Sequence, residues 1–150
     1  MKASAFLEQV EAIDTLIKNK LIERQQWEDL AHSITAQMSG DRVQSSGSKS
    51  KMADAVIRCL AEEDEIDRQV QALAAKKRDV VSVIEQLKVV QYDVLHMKYI
   101  QKMSYYDIGA AKGYDYNWAT TVHGRALKNV QSILDGRNNR ENLQSVMPCE

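Results

Sequence analysis

Two long stretches of the chain carry apolar residues at alternating steps of three and four. In residues 3–36 the apolar positions are Phe6, Val10, Ile13, Ile17, Trp27, Ala31 and Ile34, and the polar residues Lys20 and Arg24 fill the intermediate steps. In residues 51–87 they are Met52, Val56, Cys59, Ile66, Val70, Leu73, Val80, Ile84 and Leu87, and Glu63 and Lys77 fill the intermediate steps. Stripes as narrow as these are typical of long α-helices that pack along a coiled-coil seam.

The segment between these two helices is polar and rich in serine and glycine. Residues 38–51 read MSGDRVQSSGSKSK, and the predicted turn or flexible loop covers residues 37–50. Two helices of matched length joined by one loop most simply form an antiparallel hairpin. The loop and its flank carry Arg42, Lys49 and Lys51. The loop is therefore either a plain connector or a basic segment that wraps around an anionic partner.

Folding the hairpin about the centre of the loop places Arg24 opposite Glu63. Both are charged positions in otherwise apolar stripes. Two interpretations stay open at this point. The two charges form an ion pair that fixes the register of the helices, or both side chains extend along the apolar surface to solvent.

The heptad pattern ends near residue 87 and shorter apolar clusters replace it. The clusters VLHMKYI, SYYDIGAAKGY and NWATTVHGRALKNVQSIL predict three short helices packed together over residues 88–135. The remaining sequence is polar and loses its periodicity, which predicts a flexible tail over residues 136–150. The predicted fold is therefore all-α, with a helical hairpin over residues 1–87 that precedes a small helical domain.

Composition and charge narrow the class of protein. Apolar residues make up 44% and charged residues 27% of the 150 residues, as in ordinary soluble proteins. The formal net charge of −1 conceals a gradient. Residues 1–87 hold 12 Lys and Arg against 15 Asp and Glu, a net charge of −3, whereas residues 88–140 hold 8 against 4, a net charge of +4. The basic part is the part with short helices.

The same sequence offers little that is typical of membrane proteins, metalloproteins or enzymes. Acidic residues interrupt the apolar positions near the start, so we expect a cytoplasmic protein without a signal peptide and without a membrane partner. Cys59 and Cys149 belong to no CxxC or CxxH pair, so no zinc site is expected. His32, His96 and His123 are scattered, so no enzyme and no cofactor are expected either.

The basic part contains the residue spacing of a helix-turn-helix. That motif needs a core residue followed by a small one in its first helix, and a glycine four residues later for the turn. Ile108, Gly109 and Gly113 meet these requirements, and Ser104 stands where the first helix needs an N-cap. Lys112 departs from the pattern, which expects a large apolar residue before the turn glycine.

The offsets after the turn divide the second helix into two faces. Tyr114, Ala119 and Val122 take the three inward positions, and either the stem of Lys112 or a slightly rotated Ala111 completes the core. The outward face then lacks carboxylates and carries amide, phenol and threonine groups suited to base edges. The predicted DNA-contacting residues are Tyr116, Asn117, Thr120, Thr121 and Gly124 for the bases, with Tyr105, Lys112, Arg125 and Lys128 for the phosphate backbone. His123 either approaches a phosphate or packs between helices.

These residues resemble region 4 of bacterial primary-type sigma factors, whose helix-turn-helix reads a promoter element. The landmarks of the resemblance are Val94-Leu95, Lys98-Tyr99, Ser104, Ile108, Gly113 and Arg125-Ala126-Leu127. The loop segment RVQSSGSKSKMADAV and the later HGRAL extend it over residues 1–135. They resemble phage- and prophage-borne, ArpU-like late-transcription regulators of Gram-positive bacteria.

The resemblance implies a regulator that binds double-stranded DNA and contacts RNA polymerase. Two residues depart from the family pattern: Gly109 stands where alanine is common, and Lys112 stands in a core position. Nothing in residues 1–87 resembles the module that opens promoters, so a complete sigma factor is not expected. Homo-oligomerisation through the long helices is a further expectation. Two other classes stay open, a small-terminase-like DNA-packaging adaptor and a helical scaffold protein.

Overall fold

The structure is a computed structural model that describes residues 1–39 and 46–146. The described residues form α1 (Ala3–Met38), α2 (Ser46–Ile84), α3 (Val89–Leu95), α4 (Tyr105–Ala111) and α5 (Tyr116–Val146), and a π-helical segment (His96–Ile100) follows α3 directly. These residues contain no β-strand, which confirms the prediction of an all-α protein. None of their helices combines the length and the apolar character that crossing a bilayer requires.

Two element boundaries differ from those predicted. Helix α2 begins at Ser46, inside the predicted loop, and residues 40–45, with Arg42, lie outside the described residues. Helix α5 continues through residues 136–146, where a flexible tail was predicted. A long-range contact helps to hold this extension, because an Arg137 guanidinium nitrogen lies 3.1 Å from a carboxylate oxygen of Asp79. Residues 147–150, with Cys149, are not described.

The chain forms two compact units, Met1–Ala12 with Lys76–Glu150, and Ile13–Ala75. This division differs from the predicted boundary at residue 87. The predicted boundary was placed where the apolar pattern changes along the chain, whereas a compact unit is defined by apolar surfaces that meet in space. The beginning of α1 and the end of α2 therefore belong with the short helices.

The unit of Met1–Ala12 and Lys76–Glu150 has a continuous apolar core. Its fully buried members come from α1, α2, α3 and α5, and they are Leu7, Val10, Val83, Ile84, Leu95, Ala126 and Val130. A polar contact supports the same packing. The backbone N–H of Ala3 donates to the Gln131 side-chain oxygen at 2.8 Å, which satisfies one of the unpaired donors at the start of α1.

The unit of Ile13–Ala75 has a thinner core and a charged contact. Its buried apolar residues are Ile13, Ala31, Cys59 and Ile66. Arg24 pairs with Asp67, with 2.7 Å between the Arg24 Nε and the Asp67 Oδ1. The predicted partner, Glu63, is buried one helical turn from Asp67. Asp67 is the main cause of the raised pKa of Arg24, and the charge of Glu63 contributes less. The predicted ion pair was thus wrong by one helical turn of α2.

Candidate nucleic-acid interface

Helix α4 is closed at both ends by local hydrogen bonds. The Ser104 side chain accepts a hydrogen bond from the Asp107 N–H at 3.2 Å. Ser104 is therefore the N-cap of α4, as the sequence predicted. At the other end, Gly113 has a φ of +74°, a conformation that favours glycine. The N–H groups of Gly113 and Tyr114 donate to the carbonyls of Ala110 and Gly109. This is the Schellman pattern that ends a helix and redirects the chain.

Gly109 is required by the close approach of α4 to the start of α5. A Cβ added to Gly109 would lie 2.5 Å from the Asp115 carbonyl oxygen and 2.6 Å from the Asp115 carbonyl carbon. Atoms at such distances overlap, and the obstacle is backbone rather than a flexible side chain. Alanine is common at this position in the family that the sequence resembles. In this chain an alanine would force the two helices apart.

Asp115 starts helix α5. Its Oδ1 accepts a hydrogen bond from the Trp118 N–H at 2.9 Å, which is the N-cap interaction. The sequence pattern predicts no role for Asp115 or Trp118. Trp118 stacks on Tyr114, with ring centroids 4.5 Å apart and an interplanar angle of 12°. Tyr114 is 62% exposed, so the prediction that it faces the core was wrong.

A small core holds α3, α4 and α5 together. Val94, Ile108, Ala119 and Val122 are buried against one another. This confirms the inward positions predicted for Ile108, Ala119 and Val122. The place predicted for Tyr114 is filled instead by Trp118, which packs against this cluster and lies partly buried.

The exposed side of α5 is a continuous polar stripe. Asn117, Thr121, Gly124 and Lys128 are all exposed, and their spacing of four, three and four residues places them on one face. The opposite face carries the buried residues of α5, including Ala119 and Ala126. Beyond its chain neighbours and the backbone of its own helix, no atom of the described residues lies within 4 Å of a Cβ built on Gly124, so the stripe is open at its centre. We refer to Asn117, Thr121, Gly124 and Lys128 as the polar stripe.

The cations predicted to contact phosphates fall into two groups. Arg125 and Lys128 are exposed on α5, and neither forms an ion pair within the described residues. Lys112 instead forms a salt bridge with Asp93 of α3. This contact explains why a lysine stands where the motif expects an apolar residue. Ala111, the proposed substitute, is exposed and does not fill the position.

The predicted contacts Tyr116 and Thr120 lie at the edge of the polar stripe. The Tyr116 ring is 41% exposed and packs against two other tyrosine rings, with centroid distances of 5.7 Å to Tyr105 and 4.8 Å to Tyr106. Thr120 is partly buried, and its hydroxyl donates to the Asn117 carbonyl at 3.0 Å. Both residues are therefore less available to a ligand than Asn117 and Thr121.

Tyr105 belongs to a hydrogen-bonded aromatic cluster behind the polar stripe. The Tyr99 hydroxyl lies 2.8 Å from the His123 Nε2, and the Lys98 ammonium lies 4.2 Å from the centre of the Tyr105 ring. Burial raises the pKa of Tyr99 to about 12. Burial, followed by the charge of Lys98, lowers the pKa of His123. His123 is 9% exposed, so of the two roles left open it packs between helices.

Sequence reasoning missed the N-cap role of Asp115, the stacked Tyr114–Trp118 pair and the Lys112–Asp93 salt bridge. The first had a local signal, because an aspartate directly before a helix is a favoured N-cap. The second joins residues only four positions apart, and the third had no signal in the sequence. Lys112 and Asp93 meet only because α3 packs beside the end of α4.

Comparison with known proteins places the chain in a family. Residues 33–134 match the family model described as "Protein of unknown function (DUF1492)". The match covers more than half of the chain, so the protein belongs to this family. No curated protein and no solved structure matches the chain.

Proposed function

We propose that this protein is a sequence-specific DNA-binding transcription regulator, and that α4, its turn and α5 form a helix-turn-helix. In this proposal α5 lies in the major groove and the polar stripe faces the base edges. The observation that carries the proposal is the division of α5 into a buried apolar face and an exposed face. The exposed face bears an amide, a threonine, a glycine and two cations, Arg125 and Lys128, that form no ion pair with the described residues.

The local architecture supports this orientation. A recognition helix contacts bases mainly through its N-terminal residues, and Asn117 is the second residue of α5. Arg125 and Lys128 follow two to three turns later, where side chains reach phosphates rather than bases. Gly124, which lies between Asn117 and these two cations, lets the helix approach the DNA closely.

The number of cations argues for a second source of affinity. Each neutralised phosphate contributes to binding through counterion release, and only two of the predicted cations are exposed without an ion pair in the described residues. A single copy is therefore expected to bind weakly, with a shallow salt dependence. We propose that RNA polymerase, or a second copy joined through α1 and α2, supplies the missing affinity. The resemblance to sigma region 4 favours polymerase and promoters of phage or prophage origin.

Selection of bound duplexes from a random pool, followed by titration of variants against the selected sequence, tests the proposal. Arg125→Ala and Lys128→Ala should each weaken binding to all sequences and reduce the salt slope by about 1. Asn117→Ala should cost about 1–3 kcal/mol and relax the selectivity at one position.

Matched controls lie near the end of the same helix. Arg140 and Asn138 are exposed on α5 beyond the proposed interface, so Arg140→Ala and Asn138→Ala should leave binding unchanged. Weak, sequence-independent binding that is equal in the parent and all variants would contradict the proposal. That result would favour the helical scaffold.

A further inference from the structure

The part of the polar stripe nearest the start of α5, from Asn117 to Gly124, lacks the charged side chains that read guanine and cytosine. From Tyr116 to Gly124 the sequence contains no Arg, Lys, Asp or Glu, and its one histidine, His123, is buried against Tyr99. Guanine is read in the major groove mainly by Arg or Lys on O6 and N7, and cytosine N4 is read by carboxylates. The first cation, Arg125, lies two and a half turns from the start of α5.

Asn117 carries the groups that read adenine. Its side chain is exposed, and its amide makes no hydrogen bond to any other described residue. An asparagine amide offers one donor and one acceptor side by side, which match the N7 acceptor and the N6 donor of adenine. A free amide at the beginning of α5 is therefore available for a bidentate contact.

Thr121 presents its methyl group rather than its hydroxyl hydrogen. The Thr121 hydroxyl donates to the Asn117 carbonyl at 2.7 Å, so its hydrogen is already used within the helix. The neighbouring Thr120 hydroxyl donates to the same carbonyl. With its hydrogen used, Thr121 offers a ligand its methyl group and a hydroxyl oxygen that only accepts, and methyl groups contact the C5-methyl of thymine.

We propose that the polar stripe selects A·T base pairs in the major groove, with Asn117 on an adenine and Thr121 on a thymine methyl. Residues four apart on a helix lie about 5–6 Å apart, and successive base pairs are about 3.4 Å apart. The two side chains therefore reach base pairs within about two steps of each other. This inference rests on the proposed DNA-binding function and names the sequence class that the function requires.

The full chain titrated against three labelled duplex pools tests the selection. The pools share their flanks and differ in the central base pairs, which are A·T only, G·C only, or inosine·cytosine only. Inosine·cytosine presents the major groove of G·C and lacks the 2-amino group in the minor groove, as A·T does. The A·T pool should bind about tenfold more tightly than the G·C pool, the size of one good base contact. The inosine pool should bind like the G·C pool.

A second titration tests the individual residues. Replacing thymine by uracil in the A·T pool removes the C5-methyl, so the parent should lose affinity. Thr121→Ser keeps the hydroxyl and lacks the methyl, so it should bind the thymine and uracil pools equally. Asn117→Ala should reduce the preference for A·T over G·C, whereas Asn138→Ala should keep it, with circular dichroism confirming that each variant is helical.

Results that contradict the selection of A·T base pairs can be distinguished from results that contradict DNA binding itself. Equal, salt-dependent binding of the A·T and G·C pools would overturn the inference and leave DNA binding standing. Inosine binding at the level of A·T would overturn it as well, because the protein would then read the minor groove or the shape of the duplex. A third outcome is that no pool binds, even at the concentration at which the selected sequence is expected to bind. That outcome would overturn the proposed function itself.

Discussion

The two compact units of this protein differ in how their helices are held. In the unit of Met1–Ala12 and Lys76–Glu150, apolar residues from four helices are buried around Leu7, Leu95 and Val130. In the unit of Ile13–Ala75, few apolar residues are buried and several large ones, such as Leu16 and Leu60, are about half exposed. A rigid core suits a surface that must present side chains at fixed positions. A thin core leaves apolar surface for other contacts.

The largest expected effect comes from the core of the first unit. Leu7 is 1% exposed, so Leu7→Ala should destabilise the unit that carries the polar stripe by about 3 kcal/mol. Unfolding in denaturant followed by Trp118 fluorescence, in a Trp27→Phe background, measures this unit separately, since the chain has two tryptophans.

Leu16→Ala is the matched control, because Leu16 lies on the same helix and is 47% exposed. Its effect on the Trp118 transition should stay below about 1 kcal/mol. Equal effects of the two substitutions would contradict the assignment of residues 1–12 to this unit.

A smaller effect is expected where α4 meets α5. Gly109→Ala places a Cβ against the Asp115 backbone and should cost about 2 kcal/mol through overpacking. The matched substitution Gly124→Ala adds a methyl group in open space and should stabilise the helix by about 1 kcal/mol. Thermal unfolding of both variants measures the contrast. An equal gain in stability at the two positions would show that the helices do not approach as closely as described.

The smallest effect is expected in the second unit, at the Arg24–Asp67 pair. Both side chains are about one-third to two-fifths exposed, at 34% and 43%, and solvent screens such pairs. Asp67→Asn and Arg24→Ala should each lower the midpoint of unfolding slightly, with Trp27 fluorescence as the readout in a Trp118→Phe background. In double-mutant cycles, Arg24 should couple more strongly to Asp67 than to Glu63. The reverse order would restore the register predicted from the sequence.

The sequence predicted well where neighbours along the chain decide the structure. Ser104 and Gly113 act through residues within a few positions, so the limits of α4 follow from local hydrogen bonding. The buried positions Ala119 and Val122 follow from helical periodicity. The residues of the candidate interface were predicted from the same periodicity, because the exposed residues of a helix are those that remain once its apolar face is assigned.

The sequence predicted poorly where distant segments meet. Arg137 and Asp79 are 58 positions apart, and their contact lies in the part of α5 that local composition suggested was a tail. The pairing of Lys112 with Asp93 likewise changed a predicted phosphate contact into an intramolecular ion pair. For neither of these two ion pairs does the sequence contain a feature that identifies the two partners.

The sequence by itself determined the helical class, the ends of α4 and the division of α5 into a buried and an exposed face. These depend on periods and caps that act within a few residues. The tertiary structure alone decided which segments share a core, which cations remain exposed without an ion pair, and that Gly109 admits no side chain. Those outcomes depend on tertiary contacts, which bring Asp115 against Gly109, Asp93 against Lys112, and α1 into one core with α5. The close packing of the folded chain sets the distances between these segments, and their separation along the sequence does not predict those distances.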